Sequence, residues 1–232
     1  MVNSKHLSIY SKFYPEIYNV IYDLNMQNIP YIPQPDSMSC ALACYTMVAK
    51  YFFPEMTLED VAKISNWQKG YVVWAYKFWL WIMDQGIKIT EYDLIDSETW
   101  ANEGIEGLKK SVSENEFNFY MKNTRNIESY SGDIKRVLAH SNFTYIRKKP
   151  TFEILEKALL DDKICEVVLD SKTLKDREGF SLHRVVVLGI EDGKIYFNDP
   201  AEENEGEASK EKFKTAWLTA VKEPELCIYE KI

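Results

Sequence analysis

Gln34-Pro35-Asp36-Ser37-Met38-Ser39-Cys40-Ala41-Leu42-Ala43-Cys44-Tyr45 sets a side-chain amide six residues ahead of a thiol that opens an apolar helical run. A thiol attacks a carbonyl as thiolate, and a free cysteine with a pKa of about 8.5 is mostly protonated at neutral pH. The position of Cys40 supplies part of the activation. The helix predicted to run on through Tyr51 presents its unpaired N–H groups and the positive end of its dipole to the sulfur. Asp36, Ser37 and Ser39 are the candidate caps just before it. The amide of Gln34 and the backbone N–H of Cys40 can both donate to a carbonyl oxygen as it becomes an oxyanion.

The chain holds a base for this thiol in Leu182-His183-Arg184-Val185-Val186-Val187-Leu188-Gly189-Ile190-Glu191-Asp192-Gly193-Lys194-Ile195-Tyr196-Phe197-Asn198-Asp199-Pro200, which reads as a β-hairpin. A three-residue loop Glu191-Asp192-Gly193 would pair Ile190 with Lys194 and set Val185 opposite Asp199. His183 and Asp199 are then diagonal cross-strand neighbours with Cβ atoms roughly 7–8 Å apart. That suits a carboxylate that orients an imidazole. A two-residue loop shifts parity by one and offers Asn198 instead.

These residues, Gln-x5-Cys opening a helix, a late His on a strand and Asp-Pro at a strand end, resemble the papain-like cysteine peptidases. More narrowly they are similar to the bacteriocin-processing, double-glycine peptidases and their stand-alone relatives, in which a Pro-Gln-Cys segment opens the domain. The resemblance spans about residues 29–230, with its specificity in the two motif segments. It implies Cys40 as nucleophile, His183 as base, Asp199 as orienter and Gln34 in the oxyanion hole, with a peptide or protein as substrate and no cofactor or metal. One departure is Ala41, where that narrower family usually has Gly.

The 232 residues carry 28 basic and 36 acidic side chains, for a formal charge of −8, and are 46% hydrophobic. Such a chain can bury a sizeable core, and its acidic balance argues against a nucleic-acid partner. No apolar signal segment follows Met1, and the most apolar stretch, Tyr71–Met83, contains Lys77 and is too short to span a bilayer, which needs about 20 apolar residues. Four cysteines make no disulfide framework at this length. The expectation is a cytoplasmic protein with no membrane partner. Cys44, Cys165 and Cys227 read as core thiols, and neither His6 nor His140 has a constellation around it.

We expect one α+β domain over 1–232, its helical N-terminal half packed on a mainly antiparallel C-terminal sheet with the site in the cleft between. Residues 1–28 read as a helical extension and 97–140 as a helical elaboration that supplies a lid or one wall. Thr57-Leu58-Glu59-Asp60 reads as a capping box opening a helix through Ile64. Further helices are predicted at Tyr71–Gln85, stopped by Gly86, at 98–110, 114–123, 131–140 and Phe152–Leu160, capped by Thr151, and at Ser209–Trp217. Strands are predicted at Ile87–Leu94, Phe143–Arg147, Ile164–Asp170 and Leu226–Tyr229, with an acidic loop at Glu202–Glu207. The aromatic cluster Trp74, Tyr76, Phe78, Trp79 and Trp81 reads first as core and second as a cleft wall. Three other functions use the same residues. An amine or thiol in place of water makes an acyl transferase, Ala41 motivates a noncatalytic peptide-binding domain, and a buried inert Cys40 would mean a structural protein.

Overall fold

The structure is a computed structural model that describes residues 26–202 and 205–232. The extension read over 1–28 lies outside the described residues apart from its last three positions, which are irregular, and His6 lies outside them too. Helix α1 (Cys40–Phe52) begins at the thiol, as the apolar run predicts. Helix α2 (Leu58–Ile64) opens on a reciprocal capping box in which Thr57 caps the Asp60 N–H and the Asp60 carboxylate accepts from the Thr57 N–H. Helix α3 (Tyr76–Asp84) starts later than predicted. Val72 instead donates to the Asn123 carbonyl and forms a bridge with Thr124, which keeps this segment out of the helix. The region after β1 (Ile87–Asp93) is helical, as expected. The span 98–110 is two helices, α4 (Ser97–Glu103) and α5 (Ile105–Ser111), divided at Gly104 with φ 64°. Then come α6 (Glu114–Asn123), a 3-10 turn at Ile127–Ser129 and α7 (Tyr130–Leu138).

The remaining elements are β2 (Phe143–Arg147), α8 (Phe152–Leu160), β3 (Ile164–Asp170), α9 (Ser171–Leu174), β4 (Leu182–Glu191), β5 (Lys194–Asn198), β6 (Glu205–Ser209), α10 (Lys210–Lys214) running into a π-helical turn at Thr215–Thr219, and β7 (Leu226–Lys231). Two expectations are corrected here. Thr151 makes no side-chain cap on α8, and residues 205–207 of the predicted acidic loop belong to strand β6. Its Glu205, Glu207 and Ser209 point to solvent, while Gly206 and Ala208 are half-buried against β5. Alternating charge is what an edge strand carries to discourage further pairing.

The seven strands form one sheet in the order β2-β1-β7-β3-β4-β5-β6, parallel only between β1 and β2. This is the α+β arrangement expected, with two additions. Strands β1 and β2 come from the helical half, because the alternation in Ile87–Asp93 lets its apolar side join the sheet. Both faces are covered. Helices α1, α3, α4 and α7 bury Leu42, Met47, Phe78, Trp79, Trp100 and Ile134 against one face. On the other, α8 and the α10 segment bury Leu155, Phe213 and Trp217 against Val167, Val185 and Phe197. Of the aromatic cluster, Phe78 and Trp79 are core, and Trp81 packs edge-on to Phe53. Among the described residues no helix is long and apolar enough to cross a membrane.

The hairpin that carries the predicted base departs from the expected loop and yet reaches the expected register. Asp192 and Gly193 alone form the turn, with φ 49° and 76°, and Glu191 pairs with Lys194. Asp-Gly takes positive φ at both central positions easily, and such a turn matches the twist of the flanking strands. That loop alone would place Asn198 on the His183 side. A β-bulge between Val187 and Gly189 inserts one residue into β4 and restores parity, so Val186 lies opposite Asn198 and Val185 next to Asp199. The carbonyl of Leu188 at the bulge accepts from the Gln27 N–H.

Candidate active site

Helix α1 meets the sheet at β4 and so brings Cys40 to the strand that carries His183. The thiol, half-buried, lies within hydrogen-bond reach of the imidazole and faces the backbone N–H of Arg184. On its far side, Nε2 of His183 is 2.5 Å from Oδ1 of Asp199. Asp199 is 1% exposed, and the Ala201 N–H holds the same oxygen at 3.0 Å. Its other oxygen is 3.0 Å from Nζ of Lys175, which also pairs with Glu202. Three of the four predicted site residues are therefore in one chain of contacts. Asn198 faces elsewhere, its side-chain amide donating to the Ile29 carbonyl at 3.0 Å.

The fourth, Gln34, is fixed beside this chain by its backbone N–H, which donates to the Pro200 carbonyl at 2.9 Å. Its amide oxygen is buried without a hydrogen-bond partner among the described residues. The residues between Gln34 and Cys40 do not cap α1 as predicted. Ser39 instead exchanges hydrogen bonds with the backbone of Asp36, and the Asp36 carboxylate accepts from the Met38 and Gly70 N–H groups. Those side chains lock the loop, and no side chain occupies the N–H groups of the first turn of α1.

Electrostatics divide the four cysteines. Burial works against ionisation of Cys40, yet the hydrogen bond and charge of His183 and the N–H of Arg184 outweigh it and hold this thiol below its ordinary range. For His183 burial favours the neutral ring, but Asp199 and Cys40 prevail and lift it to about 9. Burial also acts against the Asp199 carboxylate, which His183, the Ala201 N–H and Lys175 hold well below the usual range. The other three thiols are pushed up by burial. Cys44, one turn after Cys40, donates to the Arg184 carbonyl at 3.3 Å and is a core thiol as expected. The arrangement favours a thiolate beside an imidazolium, which serves nucleophilic attack and proton return to a leaving group.

Around the thiol opens a cleft of about 400 Å³. Its walls include Trp74 and Tyr76 from the aromatic cluster, and Glu116, Phe119 and Tyr120 of α6, so the 97–140 region supplies a wall. Sequence reasoning missed three features of this neighbourhood. Arg184 is buried, with Nη2 2.7 Å from the Glu225 carboxylate, Nη1 3.4 Å from Glu166 and its guanidinium 5.5 Å from the Tyr45 ring centroid. A charge inside an apolar strand on both partners, Glu166 in β3 and Arg184 in β4, was the available signal. The carboxylates Glu91 and Asp93 also line the cleft, marked in sequence only by their place on the apolar side of an alternating strand. Lys175 carries no sequence signal at all.

A helical layer on a mainly antiparallel sheet, with a thiol at a helix start facing an imidazole on a strand, is the fold of the papain-like cysteine peptidases. The chain belongs to the Peptidase_C39 like family, whose model matches residues 26–224. Among solved structures it is similar to a putative C39-like peptidase from Bacillus anthracis, at 12% identity and TM-score 0.50, covering 88% of this chain and 96% of that one. A double glycine motif protease from an AMS/PCAT transporter, solved in complex with the leader peptide, matches at 14% identity and TM-score 0.46 over 90% and 96% of the two chains. The peptidase domain of Streptococcus ComA, a bi-functional ABC transporter involved in a quorum-sensing pathway, matches at 13% identity and TM-score 0.45, covering 88% of this chain and all of that one. Among curated proteins no match is found.

Proposed function

We propose that the protein is a cysteine peptidase that cleaves a peptide amide through a thioester acyl-enzyme. The observation that carries this reading is the Cys40–His183–Asp199 chain of contacts, with the thiol shifted down and the imidazole shifted up. Cys40 attacks the carbonyl carbon, and His183 passes its proton to the departing amine. His183 then takes a proton from the water that resolves the thioester. Asp199 fixes the ring so that its other nitrogen faces sulfur. The Cys40 N–H and the Gln34 amide receive the oxyanion. Ala41 adds only a methyl group after the nucleophile, and the shifted thiol speaks for chemistry rather than bare peptide binding. A thiolate of this kind suits the reducing compartment that four unpaired cysteines also suit.

The test is a mixed peptide library incubated with the wild type and with Cys40→Ala, read by mass spectrometry for new termini. Cleavage present in the first and absent in the second is the expected result, with hydroxylamine capturing part of the product as hydroxamate. No Cys40-dependent cleavage across the library would overturn the proposal.

A further inference from the structure

Five acidic side chains line the cleft, two of them buried and three half-buried. Glu91 and Asp93 of β1, 4% and 6% exposed, line it together with Glu223 and Glu225 before β7 and Glu116 of α6. The basic side chains on the lining are His183, Arg184 and Lys222, and His183 is held in the chain of contacts with Cys40 and Asp199. Arg184 is already held by Glu225 and Glu166, and Lys222 is exposed at the rim. Asp93 accepts from the N–H groups of Leu94 and Ile95. Glu91 has neither a hydrogen bond nor an ion pair among the described residues, although its side chain is buried and on the cleft wall. A buried carboxyl group without a partner avoids the cost of a lone charge by staying protonated, and on the wall of a cleft it is left free to ionise against a cation that enters.

The walls around Glu91 have the matching character. Trp74 stacks on Tyr76 at 6.2 Å and meets Tyr120 at 4.8 Å, and all three line the cleft. Aromatic faces beside carboxylates attract ammonium and guanidinium groups. We infer that this end of the cleft takes the positively charged side chain, lysine or arginine, of a peptide substrate. The inference rests on the peptidase reading and adds the substrate class to it.

The sheet sets the spacing. Tyr92 pairs with Leu226, Leu226 with Val167 and Val167 with Val185, so Asp93, Glu225, Val168 and Arg184 form the next row across β1, β7, β3 and β4. Three strand spacings make that row roughly 14 Å long, or about four residues of extended peptide. A lysine side chain covers part of the distance, which puts the charged residue two to four positions from the bond held at Cys40. Burial and the neighbouring Asp93 push Glu91 up, and burial with Glu225 lifts Asp93 to about 8. Other groups facing them are Arg184, Glu116, Glu223, Glu225, Tyr76, Tyr120 and Tyr145. A cation entering among them is held more strongly as pH rises and Asp93 ionises.

The experiment uses acetylated Gly/Ala hexapeptides with one Lys at each successive position, each matched by a norleucine version. Binding is read from tryptophan fluorescence at pH 6.5 and pH 9. At one or two adjacent positions Lys binds on the order of tenfold tighter than norleucine at pH 9, and less so at pH 6.5. Glu91→Gln, which keeps the shape of the side chain, removes most of that preference, and Asp93→Asn is the second variant should the first fold poorly. Equal binding of Lys and norleucine peptides at every position, or a preference untouched by either variant, would overturn the inference. Iodoacetamide labelling of Cys40 in the same samples reads the peptidase proposal separately. A reactive thiol without Lys preference sinks only the inference, and Lys preference beside an inert thiol sinks only the catalytic reading.

Discussion

Alkylation of Cys40 by iodoacetamide at pH 7 slows by at least about tenfold in His183→Ala, and the gap widens as pH falls. An unassisted cysteine with a pKa of about 8.5 is only a few per cent thiolate at pH 7. Burial of Cys40 lowers that fraction further once the imidazole is gone. With His183 present and its own pKa raised to about 9, the imidazolium persists through neutral pH and keeps its partner ionised. The gain in thiolate is partly offset because a more acidic thiol is a weaker nucleophile. Site-resolved mass spectrometry reads the rate at Cys40 alone, and the other three thiols, buried and shifted up, serve as internal controls in the folded state. Equal rates in parent and variant would mean that the imidazole contributes nothing to the thiol.

Arg184→Ala costs about 3–5 kcal/mol of stability, the range for removing one partner of a buried ion pair. The guanidinium is buried between Glu225 and Glu166 and lies over Tyr45. Glu166 is wholly buried and takes its other hydrogen bond from the Tyr229 hydroxyl, which in turn accepts from the Trp79 indole N–H. Burial already lifts Glu166 to about 7 against the pull of Arg184, so without the arginine it is held protonated at neutral pH. In a chain of this size the loss lowers the melting temperature by on the order of 10 °C. Arg184→Met with Glu166→Gln fills the same space without a lone charge and regains part of the loss, so the two changes are not additive. Thermal melts followed by circular dichroism check both results, and a loss under about 1 kcal/mol in Arg184→Ala would contradict the pairing described.

The meeting of Cys40, His183 and Asp199 was legible in sequence because it rests on local signals. A helix start after a polar loop and a strand ending in Asp-Pro each declare themselves within a few residues, and Cys40, His183 and Asp199 do meet. The register that joins the last two was reached by two compensating errors, a turn one residue too long and an unseen bulge. Asp192-Gly193 pointed to the two-residue turn and Gly189 inside a strand to the bulge. Strand boundaries at Phe143–Arg147 and Ile164–Asp170 came out as read, since apolar runs bounded by turn residues leave little choice. What sequence did not show lies in contacts between distant segments. Lys175 reaches Asp199 because α9 ends above the hairpin, and Val72 is held out of the helix by Asn123, some fifty residues on. Neither follows from local pattern.

The most direct test of a thiolate paired with an imidazolium is the ultraviolet absorbance of the thiolate near 240 nm, titrated across acid to alkaline pH and taken as the difference between wild type and Cys40→Ala. The account predicts an absorbance step with its midpoint below that of a free thiol, and a midpoint moved upward in His183→Ala. A midpoint at or above about 8.5, the same in both backgrounds, would contradict it.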